Sequence, residues 1–173
     1  MAGICAFAAP AHLDSRLHYL WACPVAAAVV AELSRVLGPR VELQRQHVWL
    51  LQSPTRRCVW HVWALVCFAA VHAMDRGRAR LTRLRLEGEA AAAAGGQVQA
   101  LPQPAMVAQV VPMAVHAFWH RLARMVADLQ VAVFSEEAWA GEYDWGSPRH
   151  PFIARLEDRF ELRGQPPLPW APA

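Results

Sequence analysis

Residues 58–74 read CVWHVWALVCFAAVHAM, a run of seventeen residues without a formal charge, and residues 75–86 continue as DRGRARLTRLRL. The Ser-Pro dipeptide at 53–54 supplies a helix N-cap followed by a proline at the first helical position. The first half of such a helix is apolar nearly all round, which is typical of a buried helix, and the second half carries charge. The sequence therefore predicts one long helix from Pro54 to about Leu86.

Proline and glycine delimit two further helices. Pro24 and the Gly-Pro pair at 38–39 bracket Val25 to Leu37, which predicts a short helix with proline in its first turn and glycine at its end. A second long helical region spans Ala105 to Phe134, where Pro112 either kinks the helix or marks its true start.

Three shorter segments complete the expected secondary structure. The apolar alternation and continuous patch of Val41 to Leu51, centred on Val48, predict a short strand or an extended packing segment. A short helix is expected from Ser135 to Gly141, and a last amphipathic helix from Pro151 to Leu162. We thus expect a mostly α fold: a small helical domain with one short strand and a degenerate, zinc-knuckle-like N-terminal segment.

A low-complexity stretch divides the chain. Residues 87–104 contain five consecutive alanines, a Gly-Gly pair and two prolines, a composition typical of a flexible linker. The expected organisation is a zinc-knuckle-like segment plus helices at 1–86, the linker at 87–104 and a helical C-terminal region at 105–173.

The composition excludes several classes of catalytic chemistry. All 17 basic residues among the 173 are arginine, and the chain has neither lysine nor asparagine. A phosphate-loop lysine, a kinase-type lysine and a Schiff-base lysine are therefore absent, and no serine lies in a Gly-x-Ser-x-Gly elbow. We expect a protein that is not an enzyme, encoded by GC-rich DNA.

The N-terminal part of the chain carries a sparse set of zinc-binding residue types. Cys5, His18 and Cys23 are soft ligands of the kind that tetrahedral zinc takes, but a structural site needs four of them. Taken alone, this pattern favours ordinary structural residues over a metal site. Because no positively charged leader opens the chain, we expect an intracellular protein, nuclear or cytoplasmic.

Two stretches resemble one family. Residues 14–29, DSRLHYLWACPVAAAV, resemble the zinc-binding segment that follows the reverse transcriptase domain of non-LTR retrotransposons, where a His and a Cys-Pro precede a helix. Residues 62–78, VWALVCFAAVHAMDRGR, are similar to the apolar helix with a basic end that follows there. The resemblance covers roughly Cys5 to Arg80, and no catalytic aspartate pair of a reverse transcriptase is present.

The resemblance implies a ligand set and a partner. The zinc ligands that it implies are Cys5, His18 and Cys23, while the fourth ligand position falls on Ala8, as expected for a decayed copy of the element. The partner implied is the RNA or DNA template that this region helps to hold.

A cluster of arginines is the expected nucleic-acid contact. Five arginines lie within ten residues at the basic end of the long helix, a surface broad enough to follow a phosphate backbone. The alternative is a solvated helix end, where cations also favour the C-terminal dipole. The candidate residues are Arg76, Arg78, Arg80, Arg83 and Arg85.

Residues 136–145, EEAWAGEYDW, place four carboxylates beside tryptophan and tyrosine. This composition suits a sugar or cation site, but it fits an exposed loop with anchoring aromatics better.

The leading hypothesis is a non-enzymatic, retrotransposon-derived fragment with weak nucleic-acid binding. A small membrane-associated helical protein is the main alternative, with Cys58 to Met74 and Ala105 to Trp119 entering lipid, although a spanning helix needs about 20 apolar residues. The third hypothesis is a chance open reading frame without function, which should lack cooperative unfolding. Neither composition nor motif indicates a small-molecule substrate.

Overall fold

The prediction of a mostly helical protein is confirmed. The computed structural model describes residues 21–94, 102–135, 143, 145 and 147–166. Its elements in chain order are α1 (Pro24–Leu37), α2 (Arg45–Trp49), α3 (Trp60–Ala93), α4 (Gln103–Phe134), β1 (Ile153–Arg155) and β2 (Phe160–Leu162).

The chain divides into two compact units. Of the described residues, unit 1 contains 21–33, 69–94 and 102–118. Unit 2 contains 34–68, 119–135 and the described residues from 143 to 166. Each unit therefore takes residues from both sides of 87–104, and the two-domain organisation expected around that stretch stays a prediction.

In unit 1, parts of α1, α3 and α4 pack together around Gly77 of α3. A Cβ built on Gly77 of α3 would lie 2.5 Å from Cγ1 of Val25 in α1 and 3.2 Å from Cβ of Ala114 in α4. Because real side chains do not approach to 2.5 Å, only glycine permits this contact. Around it lies an apolar core that includes Val29, Leu33, Ala73, Met74, Leu81, Val110 and Phe118.

Unit 2 packs large aromatic side chains against a small hairpin. The ring centroid of Phe152 lies 6.0 Å from that of Trp63 in α3 and 6.2 Å from that of Trp119 in α4. The indole Nε1 of Trp63 donates to the carbonyl oxygen of His47 in α2 over 2.8 Å, so its polar atom is satisfied inside the core. These contacts join the helices of unit 2 to the segment that precedes the hairpin.

The hairpin replaces the helix that the sequence predicted over Pro151 to Leu162. Strands β1 and β2 are antiparallel, and Ala154 pairs with Glu161. The Leu156 N–H donates to the Arg159 carbonyl oxygen over 2.8 Å, which closes the turn. The helical spacing of the apolar residues was misleading because the backbone partners lie across the turn and not one helical turn away.

A buried histidine orders the entry to the hairpin. The imidazole of His150 is fully buried, and its Nδ1 accepts the N–H groups of both Phe152 and Ile153 at 3.2 Å. Its Nε2 is buried and has no hydrogen-bond partner among the described residues. Burial lowers the pKa of His150 to about 4 from an ordinary value of 6.5, because a charged ring would be desolvated there.

The strand predicted around Val48 was also wrong. This segment forms the short helix α2, because the N–H of Gln44 donates to Nδ1 of His47 over 2.9 Å and closes the first turn. Within it only Val48 is buried, so the apolar patch does not need an extended chain to cover it.

The long helix begins later and ends later than predicted. Thr55 Oγ1 accepts the N–H of Arg57 over 3.2 Å, and the carbonyl oxygen of Thr55 accepts the N–H of Cys58 over 3.0 Å, so a turn precedes α3. Such side-chain bonds to the nearby backbone compete with helix formation. At the other end α3 continues to Ala93, so the first part of the predicted linker is helical, while residues 95–101 lie outside the described residues.

Two predicted helices are confirmed. Helix α1 runs from Pro24 to Leu37 and ends at Gly38, whose φ of 85° suits glycine. Helix α4 spans Gln103–Phe134 without a break at Pro112, which lies on the exposed side of the helix. Most of the short helix expected from Ser135 to Gly141 lies outside the described residues.

Gly77→Ala is expected to destabilise the protein by about 2 kcal/mol, since a contact as close as 2.5 Å places the overpacking cost near the upper end of about 1 to 3 kcal/mol and the better helix propensity of alanine returns about 1 kcal/mol. Urea unfolding measures this change in free energy. Adding Val25→Ala should recover part of the loss, because it removes the methyl group that the new Cβ meets. The exposed change Thr82→Ala is the control and should stay within about 0.5 kcal/mol. A Gly77→Ala variant as stable as the wild type would contradict the close packing.

Stability is expected to fall as the pH drops through the interval between 6.5 and about 4, because the unfolded chain binds a proton at His150 that the folded protein excludes. Near pH 5 protonation of His150 in the unfolded chain lowers the free energy of unfolding by about 2 kcal/mol relative to neutral pH. Thermal or urea unfolding across this range measures it.

The matched comparison is His150→Asn, which offers an oxygen acceptor to the same N–H groups and does not titrate. Its stability should depend less on pH than that of the wild type. Parallel pH profiles for the two proteins would show that His150 does not carry the effect.

Candidate nucleic-acid interface

All five predicted nucleic-acid-binding arginines lie on α3 in unit 1. Arg76, Arg80 and Arg83 are four and three residues apart, so they share one edge of the helix. At 1.5 Å per residue they follow the axis at intervals of about 6 and 4.5 Å. We call these three residues the arginine edge.

The first two members of the arginine edge are open to a ligand. Arg76 is exposed and Arg80 is partly exposed. Neither forms an ion pair with any residue that the structure describes. Their guanidinium groups can therefore turn to an external phosphate without breaking an ion pair among the described residues.

Arg83 and Arg85 are exposed but already paired along the helix. Their Nε atoms lie 2.7 Å from Oε1 of Glu87 and 2.9 Å from Oε1 of Glu89. Exposed pairs of this spacing contribute only about 0.3 to 0.5 kcal/mol, so phosphate can displace them. Each carboxylate nevertheless cancels one positive charge near the interface, which weakens the attraction of an anion.

The prediction that Arg78 belongs to this surface is corrected by its burial. The residue is 7% exposed, and its Nη1 lies 3.4 Å from Oδ1 of Asp75. A guanidinium enclosed in this way is not available to a phosphate backbone. Helical spacing alone could not show this, because it does not indicate how deeply neighbouring helices cover each side of α3.

Cys23 is the one predicted zinc ligand that the structure describes. It is fully buried before α1, where the N–H of Ala26 donates to its Sγ over 3.4 Å. A backbone donor on the sulfur is compatible with a thiolate ligand and equally with a structural cysteine. Cys5, His18 and Ala8 lie outside the described residues, and within the described ranges no three His, Cys, Asp or Glu side chains form a metal-binding group.

Two other cysteines, in unit 2, are not activated thiols. Burial raises the pKa of Cys58. Burial, with a smaller contribution from the neighbouring Cys58, raises the pKa of Cys67 to about 12. Both sulfurs therefore stay protonated near neutral pH, whereas a nucleophile or metal ligand requires the thiolate.

Sequence reasoning missed a second set of basic residues. Eight arginines of unit 2 are exposed and form no ion pair within the described part of the chain. The signals that could have found them are the Arg-Arg pair before the apolar run and the three-residue spacing of two arginines in α4. The eight residues are Arg40, Arg45, Arg56, Arg57, Arg121, Arg124, Arg149 and Arg155.

Over the residues that the structure describes, no helix combines the length and the apolar character needed to cross a membrane. No protein-family model, no curated protein and no solved structure matches the chain.

Proposed function

We propose that this chain is a non-enzymatic, retrotransposon-derived fragment that binds RNA or DNA weakly through α3. The observation that carries the proposal is the arginine edge, which aligns three guanidinium groups along one helix. In a complete element such a surface would help to hold the template. The resemblance of residues 14–29 and 62–78 to the region after a reverse transcriptase supports the same class of ligand.

Arginine suits this task because its planar fork donates to two phosphate oxygens at once. The arrangement of charge on α3 indicates weak binding. Arg78 is buried, and Glu87 and Glu89 offset the charges of Arg83 and Arg85. Two uncompensated contacts correspond to a slope of about −1.8 for log K against log salt on duplex DNA. Binding should therefore be detectable at low salt and lost quickly as salt rises.

The proposal includes a zinc ion held by Cys5, His18 and Cys23. Cys23 fits this role in that its buried sulfur already accepts a backbone N–H group at the start of α1. Zinc in such a position supplies structural closure of the segment that carries its ligands. With Ala8 at the fourth position, the site would be open and its affinity reduced.

Replacing Arg76 and Arg80 together by glutamine is expected to lower duplex affinity and to reduce the salt slope by about 1.8, because two phosphate contacts are removed. Fluorescence anisotropy of a labelled oligonucleotide over a salt titration measures both quantities. Arg121→Gln with Arg124→Gln is the matched control, since it removes the same charge from exposed positions of unit 2 that the proposal does not use. Equal slopes for the two double variants and the wild type would refute the role of α3.

Weak zinc binding is expected when zinc is added in excess to the purified protein, with loss of the metal in Cys23→Ala or His18→Ala. Elemental analysis of the protein measures it. Cys67→Ala is the control, because it also removes a buried thiol but leaves the proposed ligands intact. A wild-type protein that is free of zinc, and whose stability does not change when zinc is added, would confine the resemblance to ancestry.

A further inference from the structure

A hydrogen-bonded turn in unit 2 presents two arginines just before α3. The N–H of Cys58 donates to the carbonyl oxygen of Thr55 over 3.0 Å, which places Arg56 and Arg57 at the two central positions of the turn. The buried Cys58 anchors one end of this turn, and the Thr55 hydroxyl lies 3.6 Å from its sulfur. Both arginine side chains are exposed and form no ion pair with a described residue.

Exposed aromatic rings that contact one another in unit 2 begin two residues after this turn in the chain. Trp60, the first residue of α3, is 53% exposed, and Tyr143 is 43% exposed. The imidazole of His61 connects them, with ring centroids 4.8 Å from Trp60 and 4.7 Å from Tyr143. We call these three residues the aromatic platform.

The platform is supported from within unit 2. Trp145 is only 8% exposed, and its ring centroid lies 5.8 Å from His61 and 5.6 Å from Tyr143. Rings that contact one another at their edges and are backed by a buried tryptophan lose little further freedom when a ligand stacks on them. The rings are therefore held in place before a ligand binds, and their planes are inclined by 82° and 68° to that of His61, so a flat ligand stacks on one ring at a time.

We propose that the aromatic platform stacks the bases of a single-stranded nucleic acid while Arg56 and Arg57 hold its backbone. Base stacking on aromatic side chains combined with a basic surface is the way proteins bind single strands without sequence preference. By sequence, unit 2 carries eleven arginines against nine carboxylates, a net charge of +2, so the positive charge offered to the backbone at this place is that of Arg56 and Arg57. The inference rests on the proposed function only in that both take nucleic acid as the ligand. Its residues lie in unit 2, whereas the arginine edge lies in unit 1.

The occupant is a single strand because a duplex encloses the faces of its bases. In single-stranded segments the bases are free to stack on tryptophan or tyrosine. Glu142 and Asp144 flank Tyr143 in the sequence, and residues 136–145 carry four carboxylates and no arginine, so this segment is negatively charged. A cationic ligand stacked on the same rings is therefore the competing occupant, and the experiment includes it.

The test compares a labelled oligodeoxythymidine with a duplex of the same length by fluorescence anisotropy. Trp60→Ala should weaken single-strand binding about tenfold and leave duplex binding unchanged, since stacking energy is lost for one base. Trp60→Phe should retain most of the affinity because it keeps a ring. Phe68→Ala is the matched control: Phe68 is 57% exposed on the same helix and in the same unit but has no arginine turn beside it.

Arg56→Gln with Arg57→Gln should reduce the single-strand salt slope by about 1.4, whereas Arg149→Gln with Arg155→Gln removes equal charge from unit 2 and should change it less. Three results would overturn the inference. These are no single-strand binding by the wild type, equal affinities for the wild type and Trp60→Ala, or binding of tetramethylammonium that Trp60→Ala abolishes while the oligonucleotide is not bound.

Failure of the proposed function is distinguishable from failure of this inference. The first would appear as duplex binding that is indifferent to Arg76 and Arg80. The second would appear as single-strand binding that is indifferent to Trp60.

Discussion

The close approach of three helices at Gly77 is the constraint on which unit 1 depends. Without a side chain at that position, α3 lies directly against Val25 of α1 and Ala114 of α4. Contact at this distance fixes the rotation of α3 about its own axis, because any other face would place a side chain in the gap. The rotation in turn decides which arginines meet solvent. Arg76 and Arg78 lie about 100° to either side of Gly77, yet only Arg76 is exposed.

Elements with local signals were predictable from the sequence, and elements that depend on distant partners were not. The start and end of α1 follow from Pro24 and Gly38, whose effects act on their own backbone. The end of α4 was predictable as well, but the sequence left open whether Pro112 kinks or starts the helix, and only the structure shows that α4 continues through it. By contrast, the hairpin depends on the imidazole of His150, and α2 depends on that of His47. The spacing of apolar residues does not show where a histidine nitrogen accepts a backbone N–H, so neither element could be predicted from it.

The candidate interface also combines features that the sequence predicts with features that only the packed structure shows. The sequence located the arginine cluster on a helix, where helical spacing places Arg76, Arg80 and Arg83 on one edge. Burial of Arg78 and pairing of Arg83 and Arg85 required the packed structure and the continuation of α3 to Ala93. The aromatic platform could not be predicted from the sequence, because Trp60 and Tyr143 are more than eighty residues apart in the chain. Sequence spacing brings neither residue to the other, whereas the fold of unit 2 joins them through His61.

The packing at Gly77 also limits which substitutions related chains can carry at positions 77 and 25. Every single-base change from a glycine codon to another amino acid adds a Cβ, and Val25 stands in its way. A related chain with alanine or serine at this position should therefore carry a smaller residue at position 25, and the two sites should vary together. In related chains whose fold is no longer under selection, position 77 would instead vary independently of position 25. Correlated variation at these two positions thus separates lineages that still fold unit 1 from those that have ceased to do so.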